Sequence, residues 1–165
     1  MPADPTNAYA FAKDALRREL AFLREEHRFR FTWARLFYMY GEDQAPTSLY
    51  PQLMAAIDRK DTHFRMSGGE QLRDFLPIDE IARLIVDLAT RSPGAGVVNI
   101  CSGRPTSVRS LVEGWVKERG SDIALRLGEF PYPDFEPMAF WGSRTRLDAL
   151  LKGAAAASEC GPHRA

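Results

Sequence analysis

The order of its segments constrains this chain most: stretches with the composition of helices alternate with short apolar runs from one end to the other. Between Thr6 and Glu26 the sequence is rich in Ala, Leu, Lys, Arg and Glu and has no Gly or Pro, the mixture that loses least side-chain freedom in a helix. Phe29 to Tyr40, FRFTWARLFYMY, lacks a 3.6-residue period and ends at Gly41, as a mostly buried strand does. Ser48 to Arg59 reads as a second helix and His63 to Met66 as a short strand. Leu72 to Leu76 is a brief extended piece whose two charges, Arg73 and Asp74, need partners or a ligand. Asp79 is placed to cap a helix with Ile81, Leu84, Ile85 and Leu88 on one core-facing side. Val97 to Cys101 reads as a strand, and Thr106 or Ser107 caps a helix with Val108, Leu111, Val112 and Trp115 on one side. Ile123 to Leu127 is a further strand, Phe130 to Pro137 a proline-rich loop, and Thr145 to Leu151 one or two helical turns. Helices and strands alternating in this way predict the α/β class.

Composition narrows the function. With 165 residues, 45% of them hydrophobic, the chain is long enough for a real core. The 22 Lys and Arg balance 22 Asp and Glu, so the basic excess that favours nucleic acid is missing. Two cysteines, Cys101 and Cys160, cannot build a disulfide framework, and no metal-type spacing joins them to His27, His63 or His163. Cys101 reads as a buried strand residue, not a nucleophile. No apolar run approaches the ~20 residues of a membrane span. A soluble, cytoplasmic protein without metal is the expectation.

The sharpest chemical feature is Tyr9 and Lys13, four apart on the first helix and therefore on one face. A free phenol, with a pKa near ~10, accepts protons poorly at neutral pH until a nearby cation stabilises its anion. Lowering that value by ~3 units takes roughly 4 kcal/mol, more than one exposed ammonium supplies. A second positive charge is needed, and an oxidised nicotinamide ring would provide it.

Four stretches in order resemble a known family: PTNAYAFAK from Pro5 to Lys13, ARLFYMYG from Ala34 to Gly41, GGEQLRDFLPID from Gly68 to Asp79, and NICSG from Asn99 to Gly103. Together they resemble the extended short-chain dehydrogenases/reductases that act as NAD(P)-dependent nucleotide-sugar epimerases and dehydratases. The resemblance implies the C-terminal part of a Rossmann-type NAD(P)-binding fold plus the small α/β substrate-binding lobe, over 1–151, with 152–165 a disordered tail. It implies that Tyr9 is the general acid/base and that Lys13 assists it and binds the nicotinamide ribose of NAD or NADP. Arg73 would hold the pyrophosphate of a nucleotide-sugar substrate, with Tyr38 and Ser48 also on the substrate side. Read without the family, Arg73 is a surface residue paired with Asp74 or Asp79.

Tyr38 stands where the family usually has Asn, which changes the shape of the sugar pocket. The Ser or Thr that completes the family's catalytic group would precede Met1, and no Gly-x-Gly-x-x-Gly loop is present. The chain is thus expected to lack the N-terminal cofactor half and to be inactive alone. The alternative is a non-catalytic remnant that binds a sugar nucleotide or dimerises. In the family the first helix also pairs with its mate, which implies a homodimer. Tyr132 to Pro137 with Trp141 could form a substrate-side lid, or only a packed connection. Trp33, Phe37 and Tyr40 read as sheet core, and Arg17, Arg18, Arg24, Glu25 and Glu26 as a solvated helix face.

Overall fold

The structure, a computed structural model, describes residues 8–132 and 136–159. In chain order its elements are α1 (Ala8–His27), β1 (Thr32–Leu36), β2 (Tyr38–Tyr40), α2 (Leu49–Asp58), β3 (His63–Arg65), β4 (Leu72–Arg73), β5 (Phe75–Pro77), α3 (Ile78–Arg91), β6 (Gly96–Ile100), β7 (Thr106–Ser107), α4 (Val108–Glu118), β8 (Ala124–Arg126), β9 (Ala139–Phe140) and α5 (Thr145–Glu159). The α/β class is as the sequence predicts; β2·β5, β3·β8 and β4·β9 pair parallel, β4·β7 pairs antiparallel, and β1 pairs with β6.

The chain divides into two compact units, the first holding the described residues of 1–35, 84–98 and 145–165. There α1 is open to solvent on most sides, and Asp14 is its one buried residue. Arg28, with φ of 51°, ends the helix in the left-handed region. The Phe31 carbonyl accepts from Gly96 N–H (3.0 Å), and the Thr32 hydroxyl accepts from Gly94 and Ala95 N–H (3.2 and 3.0 Å), which holds the glycine turn against the start of β1. Leu84, Leu88, Val98 and Leu147 are buried.

The second unit holds 36–83 and 99–144. Its core is Leu53, Met54 and Ala56 of α2, Phe64 and Met66 around β3, Val112 and Trp115 of α4, and Ile123. The predicted one-sided pattern of α4 is what the fold uses, and the Ser107 hydroxyl caps it by accepting from Ser110 N–H at 3.0 Å. Tyr40, Tyr50 and Trp115 pack ring to ring, with centroids 4.9–5.9 Å apart.

Five readings need correction. The run from Phe29 to Tyr40 is two strands, not one, and is half-buried: β1 pairs with β6, while Tyr38 N–H turns to the Asp74 carbonyl (3.1 Å) and β2 pairs with β5. A change of partner at Phe37 is invisible to a pattern of apolar residues. The piece from Leu72 to Leu76 likewise breaks at Asp74. Helix α3 begins at Ile78, so Asp79 lies in its first turn, where its charge still suits the helix dipole. On that helix Ile85 is exposed, at the flank of the buried stripe of Ile81, Leu84 and Leu88. Helix α5 continues past Leu151 to Glu159, through a run of alanines, the best helix formers. Positions 160–165, including Cys160, lie outside the described residues, as do Pro133, Asp134 and Phe135 of the proposed lid.

Candidate active site

The predicted site residues fall into two groups, one in each unit. In the first unit Tyr9 and Lys13 share a face of α1, and the Lys13 Nζ lies 5.6 Å from the centroid of the Tyr9 ring. Tyr9 is 73% exposed, so its phenol is free to meet a ligand. One turn on, Asp14 is covered by Arg17 and Arg18, whose guanidinium groups donate at 2.6–2.9 Å. The Arg17 hydrogen bonds, then that from Arg18, hold the Asp14 carboxyl below its usual range. The predicted solvated face is therefore partly an ordered ion cluster.

In the second unit Arg73, Tyr38 and Ser48 line one cavity of about 580 Å³. Ser48 precedes the first turn of α2 with extended backbone, as an N-cap does, though its side chain makes no capping bond. Arg73 is only 2% exposed, so the surface reading, with Asp74 or Asp79 as partner, is wrong. Strand alternation explains why: Arg73 and Asp74 are neighbours and point opposite ways. The Arg73 guanidinium donates to the Glu136 carboxylate (3.1 Å) and the Leu72 carbonyl (3.0 Å), and lies 5.5 Å from the Tyr38 ring centroid. The Tyr38 ring also packs on Phe75 at 5.4 Å. Aromatic faces and a carboxylate together make burial of an arginine tolerable.

Asp74 is fully buried and accepts three backbone N–H groups, from Ser102 (2.6 Å), Gly103 (2.9 Å) and Gly142 (3.2 Å). It ties the turn after β6 and the end of β9 to the strand that carries Arg73. Sequence reasoning marked Asp74 as a charge in need of partners and as a candidate surface partner of Arg73, not as an acceptor of backbone N–H groups. Glu136 and Gln71 it left inside longer quoted segments, although the alternation of Gln71 and Arg73 about Leu72 was a usable signal.

The remaining lining is aromatic and amide-bearing, with Tyr40, Tyr50, Phe75, Trp115 and Phe130 beside Gln44, Gln52 and Gln71. Burial pushes the Tyr40 phenol above its ordinary range, with the Trp115 indole N–H pulling the other way, so Tyr40 stays protonated at neutral pH. Of the proposed lid, Glu136 faces the cavity, the Tyr132 hydroxyl bonds Glu70, and Trp141 is half-exposed outside the lining; Phe130, just before it, also faces the cavity. Cys101 is buried just after β6. Among the described residues no group of three His, Cys, Asp or Glu is placed to hold a metal, and no helix is long and apolar enough to cross a membrane.

The fold and site define an α/β protein in which a buried arginine beside the Tyr38 ring lines a cavity of aromatic and amide side chains. The chain belongs to the NAD dependent epimerase/dehydratase family, whose sequence model matches residues 1–101. It is 31% identical over 144 residues to dTDP-6-deoxy-L-talose 4-dehydrogenase (NAD(+)) from Aggregatibacter actinomycetemcomitans, covering 87% of this chain and 53% of that protein. In fold it is similar to RMD from Pseudomonas aeruginosa complexed with NADPH, with a TM-score of 0.76 at 20% identity over 92% of this chain and 52% of that one. It is also similar to UDP-N-acetylglucosamine 4-epimerase from Methanobrevibacter ruminantium, in complex with UDP-N-acetylmuramic acid, with a TM-score of 0.72 at 23% identity, over 91% and 52% of the two chains. The chain spans about half the length of these relatives.

Proposed function

We propose that this chain carries the proton-transfer pair and the substrate lobe of an NAD(P)-dependent enzyme of nucleotide sugars, working as an epimerase, dehydratase or 4-keto reductase in a reducing cytoplasm. The observation that carries the reading is Arg73: a permanently charged, forked donor, almost fully buried in a cavity lined by aromatic rings. Such a group suits the pyrophosphate of a nucleotide sugar, which would share or replace Glu136 as its counter-ion.

Tyr9 would move the proton of the sugar hydroxyl, with the Lys13 ammonium placed to stabilise negative charge building on the phenol. The exposed Tyr9 and Lys13 fit the nicotinamide riboside end of NAD(P), which when bound supplies the hydride acceptor or donor. The sequence holds no glycine loop for the cofactor's phosphates, so these would be held by a Rossmann half in the same or another polypeptide. The same feature favours a second reading, binding of the sugar nucleotide without turnover. A homodimer through α1 is supported by Phe11 and Phe22, both exposed and on one side of that helix.

Calorimetry with UDP-, dTDP-, GDP- and CDP-sugars, with and without a supplied cofactor half, tests both readings. The first expects binding that Arg73→Met weakens at least tenfold, and Tyr9-dependent hydride transfer only when the cofactor half is present. Equal binding by Arg73→Met would overturn the substrate reading. Turnover by the isolated chain would overturn the claim that a second half is needed.

A further inference from the structure

Strands β3 and β8 pair only with each other among the described residues, so each has one side with no strand beside it. The ladder shows which backbone groups of β8 are left over. Ala124 N–H donates to the Thr62 carbonyl (3.1 Å) and the Arg126 carbonyl accepts from Met66 N–H (3.0 Å), so residues 124 and 126 face β3. The N–H and C=O of Leu125 therefore point the other way, to the open side. An open edge of this kind is a template for a further strand.

Beside the edge runs a groove of about 480 Å³ between β8 and one flank of α4. Val116, Leu125 and Leu127 give it apolar walls, and Glu113 and Lys117 give it charge. Glu113 is held by Arg109 at 2.8 Å, whereas Lys117, one helical turn on, has no ion-pair partner among the described residues.

Two features fit this surface to a second copy of itself. Read against itself in the antiparallel sense about Leu125, the segment from Ile123 to Leu127 sets Ile against Leu and Leu against Leu on the groove side. On the other side the small Ala124 leaves room for the long Arg126. Glu113 and Lys117 lie one turn apart on α4, so an antiparallel second α4 brings each of them to the opposite charge on its mate.

We propose that β8 pairs antiparallel with β8 of a second copy of this chain, about a two-fold axis at Leu125, with the two α4 helices side by side along the grooves. Each Leu125 N–H donates to the Leu125 carbonyl of the other copy. The contact uses the same patch twice, so it closes on itself. A ladder on a three-residue strand is a small interface beside the ~1,200 Å² of a stable one. Pairing therefore sets in at high protein concentration and leaves α1, in the first unit, free for its own contact.

The test uses two chains, Ala124→Cys and Arg126→Cys, each also carrying Cys160→Ser, mixed at high concentration and mildly oxidised. In this pairing residue 124 of one copy lies opposite residue 126 of the other, with Cα atoms about 4.5 Å apart, inside disulfide range. Like residues meet only on the diagonal, at roughly 7–8 Å, outside it. The expected result is at least fivefold more disulfide dimer in the mixture than in either chain alone, and none above that background when oxidation is done in urea. Lys117→Glu in both chains lowers the yield, and adding Glu113→Lys restores it. Equal linking in the mixture and in the single chains overturns the proposal, as does no linking in the mixture while both chains melt like wild type. Should a cysteine variant misfold, sedimentation equilibrium on chains without added cysteine carries the test. Association weakened at least fivefold by Lys117→Glu and restored by the double exchange supports the pairing, and equal constants overturn it.

Discussion

Replacing Asp74 by Asn tests whether one carboxylate organises the second unit. The carboxylate is fully buried and accepts from Ser102 on one oxygen and from Gly103 and Gly142 on the other. Hydrogen bonds to a charged acceptor contribute about 1.5–3 kcal/mol each, and neutral ones about 0.5–1.5. The best orientation of an Asn amide keeps its oxygen toward Gly103 and Gly142, so those two bonds weaken by about 1 kcal/mol each. Its NH2 then faces the Ser102 N–H, donor against donor, for about 1–3 kcal/mol more. Neutralising a buried charge relieves part of its desolvation, which brings the net to the low end, about 3 kcal/mol. In a chain of this size that lowers the melting temperature by roughly 6–12 °C. Guanidinium unfolding followed by tryptophan fluorescence reads the same loss as a shift in midpoint without a change in slope. A loss under about 1 kcal/mol would show that the three N–H groups do not depend on this carboxylate.

Further outcomes follow from single contacts. The carboxyl of Asp14 titrates below its ordinary value of 3.8 because of Arg17 and Arg18, so its contribution is present in full above that value and fades as pH falls through the lower folded one. Circular dichroism from pH 6 down to pH 2.5, a range of about that scale for carboxylates, should show wild type losing more helix than Asp14→Asn, and identical curves would count against the ion cluster. A Cβ added at Gly142 would come 2.7 Å from both the Cys101 sulfur and the Phe37 ring, so Gly142→Ala should destabilise by about 1–3 kcal/mol in urea titration. Phe22→Glu places a charge on the exposed face of α1 and should shift sedimentation from dimer to monomer without lowering the melting temperature; an unchanged sedimentation coefficient would remove α1 as the contact.

Much of this molecule can be read without coordinates. Local rules place the cap of α4 at Ser107 and its buried stripe through Val112 and Trp115, because spacing along one helix decides both. The Tyr9–Lys13 pair is legible for the same reason: four residues of helix bring two side chains together whatever surrounds them. Where a strand changes partners, as at Phe37 and Asp74, composition is silent, since the choice is made by hydrogen bonds to segments far along the chain.

Sequence by itself thus determined the α/β class, the helices with their faces, the family and the residue types available for chemistry. Tertiary structure alone decided what those residues do at a distance. It buried Arg73 rather than exposing it, gave it Glu136 and the face of Tyr38, set Asp74 across three backbone N–H groups, and left Gln71 without a partner on the wall of the same cavity. The reason is physical: a helix satisfies its hydrogen bonds within a few residues, whereas a buried charge or amide must find its partner wherever folding brings one.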